Sequence, residues 1–256
     1  MLRKSLSISF VIFIYFILQA LASDFTVDEI IAKNIEARGG LEKIKAVKSL
    51  RMTGNMMARS QEMPFSIQMK RPNMVRVEFT LDGKAAIQAY DGEEGWSVMP
   101  FLGSDLPQKM ADSDLQDMQE QADLDGPLVD YKSKGNTVEL VGKDTLEGRE
   151  AYKLKVTLKN GNVRYIYIGA DTNLELKTTS HQKRQGQEFD VDAFLGDYKD
   201  INGIKIPYSV EQKVGDRTVS TFTVEKVEMD VDIDNSVFKF PAPASQTQTE
   251  TSPTSR

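Results

Sequence analysis

From residue 63 the chain alternates: Met63, Phe65, Ile67 and Met69 are apolar while Ser66, Gln68 and Lys70 are polar, which is the period of a strand in a sheet with one dry face. Apolar extended stretches flank it at 50–58, 74–81 and 85–90, with Pro72 marking a strand end and Asp82-Gly83 a turn. Trp96 and Met99 continue the pattern until Pro100 breaks it. Further on, strands are predicted over 138–141, 151–158, 163–168, 174–179, 187–194, 204–210 and 219–227. Between two of them Asn160-Gly161 predicts a hairpin with a type I′ turn. Helical spacing occupies two patches. Thr26 and Glu29 form a capping-box pair ahead of Val27, Ile30, Ile31 and Ile35, Gly39-Gly40 stops that helix, and Leu41, Ile44 and Val47 begin a second short one. Over 107–124, Met110, Leu115 and Met118 mark an irregular amphipathic helix among many acids. The sum is a mainly β fold with some α: a curled antiparallel sheet of about ten strands, an open half-barrel, with helices on its concave face.

The chain ends differ from this body. Arg3 and Lys4 precede an apolar run over 6–18, and Ala20-Leu21-Ala22 supplies a small-x-small cleavage site, so residues 1–22 read as a cleaved signal peptide. The apolar run is shorter than the ~20 residues that cross a bilayer, which argues against a retained anchor. Residues 241–256 are rich in Ser, Thr, Gln and Pro and too poor in apolar side chains to offset the entropy of ordering, so a disordered tail is expected after one domain over 23–240. There is no cysteine, which excludes disulfides and an amino-terminal lipid anchor. A net charge of −6 without a basic stripe argues against nucleic acid.

Candidate chemistry is sparse. The single histidine, His181, has no cysteine or second histidine to join it and reads as an exposed turn residue. Asp230, Asp232 and Asp234 imitate the start of a calcium loop, but Asn235 and Pro241 stand where that loop needs glycine and glutamate. Asp105, Asp112, Asp114, Asp117, Glu120, Asp123 and Asp125 read as the solvated face of a helix and its loops. No glycine-rich phosphate loop or serine elbow is present, so the chain reads as a non-enzyme with no cofactor and no metal.

The stretch Lys70-Arg71-Pro72-Asn73, the strand Val75-Arg76-Val77-Glu78, the turn Asp91-Gly92, and Trp96 with Pro100-Phe101 together resemble the LolA-like periplasmic carriers and the wider outer-membrane lipoprotein-sorting group. The resemblance implies a half-barrel with an apolar cavity under lid helices. By motif position it implies that Arg71 latches the lid through backbone carbonyls when the cavity is empty, and that Trp96 and Phe101 lie beside the mouth. Met52, Met63, Phe65, Ile67, Met69, Val77, Phe79, Met99, Met110 and Met118 complete the expected cavity, since flexible thioethers suit a surface that repacks around varied apolar ligands. The implied role is carriage of acylated lipoprotein or another envelope lipid by a periplasmic monomer, between an inner-membrane donor and an outer-membrane acceptor. The alternative is a lipid-sensing or protein-interaction module of the same fold.

Overall fold

The computed structural model describes residues 25–184 and 186–241. The expected signal peptide and all but the first residue of the expected tail lie outside them. In chain order the elements are α1 (Val27–Arg38), α2 (Leu41–Ala46), β1 (Ser49–Ala58), β2 (Gln61–Lys70), β3 (Met74–Leu81), β4 (Lys84–Tyr90), β5 (Gly95–Met99) and β6 (Ser104–Lys109). Helix α3 (Asp112–Gln121) follows. The second half is β7 (Thr137–Leu146), β8 (Arg149–Thr157), β9 (Val163–Gly169), β10 (Glu175–Arg184), β11 (Gln187–Ile201), β12 (Ile204–Val214) and β13 (Arg217–Met229).

All 13 strands among the described residues belong to one antiparallel sheet in the order β6-β5-β4-β3-β2-β1-β13-β12-β11-β10-β9-β8-β7. Its edge strands β6 and β7 are not paired with each other, so the sheet stays open. The count exceeds the expected ten because β5 and β6 form a further hairpin. Trp96 faces Lys109 and Ser97 faces Gln108 across it. Pairing of Ser104–Lys109 with β5 also moves the start of the third helix from the expected residue 107 to Asp112.

Helix α1 begins as its sequence requires. The Thr26 hydroxyl accepts the Glu29 amide at 3.3 Å, and the Glu29 carboxylate accepts the Thr26 amide at 2.7 Å. Gly39 then turns the chain with φ 130°, at a point where a Cβ would lie 2.2 Å from the Gly203 carbonyl oxygen. No other residue fits there without moving the β11–β12 turn.

The hairpin joining β8 to β9 forms, but its turn differs from the expected type I′. β8 ends at Thr157, which leaves five residues to span, and Gly161 alone takes positive φ, at 92°. The amide of Gly161 bonds the Leu158 carbonyl at 2.8 Å, so Lys159 and Asn160 occupy the centre and Gly161 relaxes the strand beyond. Side-chain contacts favour this choice: the Lys159 amide donates to Asn136 Oδ1 at 3.1 Å and Asn160 Nδ2 donates to Glu120 at 2.8 Å. Two-residue type I′ turns occur instead where paired strand ends leave only two residues, as at Asn202-Gly203 with φ 54° and 80°.

The core divides into three parts along the concave face. Ile30 and Ile31 of α1 pack with Leu128 on Tyr152, Leu154, Val156, Ile166 and Ile168 of β8 and β9. Met118 and Ala122 at the end of α3 pack on Val75, Val77 and Tyr90, with Ile67, Met69, Phe79, Met110 and Leu115 around them. Between these, Phe65, Tyr208 and Val224 fill the middle of the sheet.

Candidate functional site: the cavity beside α3 and its two clasps

Directly opposed residues in neighbouring strands share a face of the sheet. Phe65 opposes Phe79, and Ile67 opposes Val77, so the apolar side chains of β2 and β3 line the concave side. The Phe65, Phe79 and Phe222 rings meet there with centroids 5.6 to 6.4 Å apart. Helix α3 covers only part of this face. Between it and strands β9 to β13 lies a cavity of about 1010 Å³, whose apolar wall includes Val77, Phe79, Met118, Phe189, Val191, Val214 and Val219. Its polar wall includes Gln88, Ser180, Gln182, Gln212, Asp114, Glu120 and three arginines, Arg59, Arg164 and Arg217.

Of the residues expected to form the cavity, Val77, Phe79 and Met118 line it. Phe65 lies in the central core, Ile67 between that core and the α3 cluster, and Met69 and Met110 in the α3 cluster. Met52 and Met63 are half-buried outside the cavity wall. Met99 ends β5, and Phe101 is 45% exposed in the short turn after it; neither reaches the cavity.

Trp96 is on the other side of the sheet. It opposes Ala89, which opposes Arg76, and these alternate with the concave residues Tyr90, Val75 and Val77. The segment after β13 covers it: Trp96 Nε1 donates to the Phe238 carbonyl at 2.8 Å, and the Phe240 ring stands edge-on at 6.3 Å. Arg76 stacks over its outer side at 5.7 Å and donates to the Val237 carbonyl at 3.2 Å. The expected mouth position for Trp96 therefore gives way to a buried structural one. A one-residue step in a strand reverses the face.

Arg71 sits in the β2–β3 turn. Its Nε donates to the Val47 carbonyl at 2.6 Å and its Nη2 to the Ile44 carbonyl at 3.1 Å, at the end of α2. The same guanidinium forms a bidentate pair with Asp125, which follows α3, with the Nη1 bond at 3.1 Å. Arg38 of α1 donates from both terminal nitrogens to the Asp125 carbonyl, each at 3.2 Å. One loop residue thus ties α1 and the β2–β3 turn together. A second clasp holds the other side of α3: Glu120 pairs with Arg164 and accepts from Asn160 at 2.8 Å and Asn162 at 2.6 Å.

Glu120 and Asp125 correct the reading of the acidic cluster as a solvated face. Their side chains are 9% and 11% exposed, and both are occupied by arginine. Asp123 likewise pairs with Lys134 at 2.6 Å. Nothing local in the sequence separates these acids from Asp112 or Asp114, because their partners are distant in the chain.

His181 lies in β10 at the rim of the cavity, with Nδ1 3.0 Å from Asp190 and Nε2 3.7 Å from Glu188. The hydrogen bond to Asp190 raises its pKa above the ordinary histidine value. Asp230 accepts the Lys48 amide at 2.7 Å, and Asp234 accepts the Ser236 amide at 2.7 Å. Among the described residues no group of His, Asp or Glu is placed to hold a metal ion.

No family model and no curated protein matches the sequence. Solved structures do match the fold. A DUF1329 family protein from Desulfovibrio piger superposes with TM-score 0.58 at 13% identity, over 83% of this chain and 97% of that one. A LolA superfamily protein from Nitrosomonas europaea gives TM-score 0.55 at 13% identity, over 84% and 98%. A Vibrio parahaemolyticus domain assigned to outer membrane lipoprotein sorting gives 0.53 at 9%, over 82% and 94%. The fold of this chain is LolA-like.

Proposed function

We propose that the protein is a non-catalytic periplasmic carrier that takes acyl chains of lipoproteins, or of another envelope lipid, into the cavity beside α3 for sorting toward the outer membrane. The observation that carries this reading is the cavity itself, about 1010 Å³ inside a LolA-like fold, with one wall of Val, Phe and Met facing a polar one. Burying a sixteen-carbon chain there is worth on the order of 12 kcal/mol gross, at ~0.8 kcal/mol per methylene. A carrier has to give that cargo up again. Arg71, held to α2 and to the loop after α3, stabilises the covered state and so lowers net affinity by the free energy of uncovering. In this reading export follows cleavage after Ala22, and the mature domain over 23–240 acts as a monomer between a donor and an acceptor.

The experiment is native mass spectrometry and lipid extraction of the mature protein purified from its own periplasm, followed by titration with a fluorescent fatty acid. Co-purified acylated material and saturable probe binding are expected. Absence of both discards the carrier and leaves a protein-interaction module on the same fold.

A further inference from the structure

Two neighbouring hairpins close at the same end of the sheet, β1–β2 through Arg59-Ser60 and β12–β13 through Gly215-Asp216. They are adjacent because β1 pairs with both β2 and β13. Each sends one arginine to the cavity wall, Arg59 from the first and Arg217 from the second. Arg217 directly opposes Val214, another wall residue, and so lies on the concave side.

These two arginines differ from the third. Arg164 is neutralised by Glu120, whereas neither Arg59 nor Arg217 has a hydrogen-bond or ion-pair partner among the described residues. The wall's acids do not answer them. Glu120 is committed to Arg164, Asp117 and Glu188 have partners of their own, and Asp114, also in the wall, makes no ion pair with either arginine among the described residues. Two cations on one cavity wall, neither paired with an acid, favour an anion beside them.

The turn itself adds a second observation. Arg59 has φ 50° and Ser60 φ 63°, the left-handed pair of a type I′ turn, where asparagine and glycine are favoured and an arginine is strained.

We infer that Arg59 and Arg217 form an anion subsite at the cavity mouth, which holds the carboxylate or phosphate head of a single amphiphile while its chain lies against Phe79 and Val219. This rests on the carrier reading and deepens it: the cargo is an anionic lipid rather than a neutral one.

The test compares the wild-type mature protein with the Arg59→Gln/Arg217→Gln double variant, using three probes of equal chain length: a fatty acid, its methyl ester and a lysophosphatidic acid. An exposed arginine–anion pair contributes up to a factor of about five, so the wild type is expected to prefer the acids to the ester by about tenfold, less at high salt. The double variant should bind acid and ester alike while keeping its melting temperature. Preference for the phosphate probe assigns the head as phosphate and the reverse as carboxylate; both uphold the subsite. Equal wild-type affinity for acid and ester overturns the subsite alone. Failure of all three probes to bind overturns the carrier reading, and the subsite with it.

Discussion

Helix α1 and helix α3 cover different parts of the same concave face, yet α1 seals its part while α3 leaves about 1010 Å³ beside it. Under α1, the cluster of Ile30, Ile31, Tyr152, Leu154, Val156, Ile166 and Ile168 has no member more than 5% exposed. Helix α3 carries only Leu115 and Met118 as large apolar side chains, and the rest of it is Asp, Ser, Gln and Glu. It is fastened instead through Glu120 to Arg164 and through Asp125 to Arg71. Apolar burial acts over a whole surface and is lost only by separating it, whereas clasps of this kind act at a few points. A cover held at points can be lifted without unfolding the wing that holds the domain together.

Core truncation breaks or upholds this contrast most directly. Leu154→Ala under α1 should cost about 2–5 kcal/mol in denaturant melts. Leu115→Ala on α3, at a partly exposed position, should cost about 1 kcal/mol and leave the main transition cooperative. Equal losses at the two sites would show that α3 is as much a part of the core as α1.

Freeing a clasp comes next. Arg71→Ala should tighten binding of an acyl probe, by up to about tenfold for the roughly 1.5 kcal/mol of a charge-assisted bond, and should slow transfer to an acceptor. Amides of residues 112–126 should exchange with solvent faster in the variant. Weaker binding by the folded variant would make Arg71 a ligand contact or a purely structural tie.

The sheet face of Trp96 offers a smaller, optical test. With its indole on the convex side under Phe238 and Phe240, tryptophan emission should stay within a few per cent of its starting value when a probe without spectral overlap fills the cavity. In a Trp96→Phe background, Phe79→Trp should respond strongly, because residue 79 is in the cavity wall. A large response from Trp96 itself would move the site to the other face.

The smallest effect belongs to the rim. Because the Asp190 hydrogen bond raises the folded-state pKa of His181, the pair stabilises the β10–β11 hairpin below the unfolded histidine pKa, and that contribution is lost as pH rises through the folded value. Asp190→Asn should lower the His181 pKa in an NMR titration. An unchanged titration would mean that the bond does not persist in solution.

The elements that were legible in the sequence are those whose cause is local. The Thr26–Glu29 capping box is three residues long, and the alternation from Met63 to Met69 needs only the two-residue repeat of a strand; both are present as read. The β5–β6 hairpin was obscured because Ser104–Lys109 holds Pro107 and four polar or charged residues, and becomes a strand only through pairing with β5.

The candidate site was legible in fewer places. Arg71 stands out by its motif, and Val77, Phe79 and Met118 by their apolar periodicity. Glu120 and Asp125 look like any other acids of a polar helix until arginines 44 and 54 residues away are brought to them. Arg59 and Arg217 share a cavity wall only because β13 returns to pair with β1. By itself, then, the sequence determined the helix caps and the strand period, since these depend on residues a few positions apart, while the motifs between Lys70 and Phe101 carried the resemblance to a LolA-like fold. Which face receives Trp96, which acids are buried and where space remains were decided by the tertiary structure, because burial, charge pairing and vacancy are properties of surfaces brought together by the curl of the sheet.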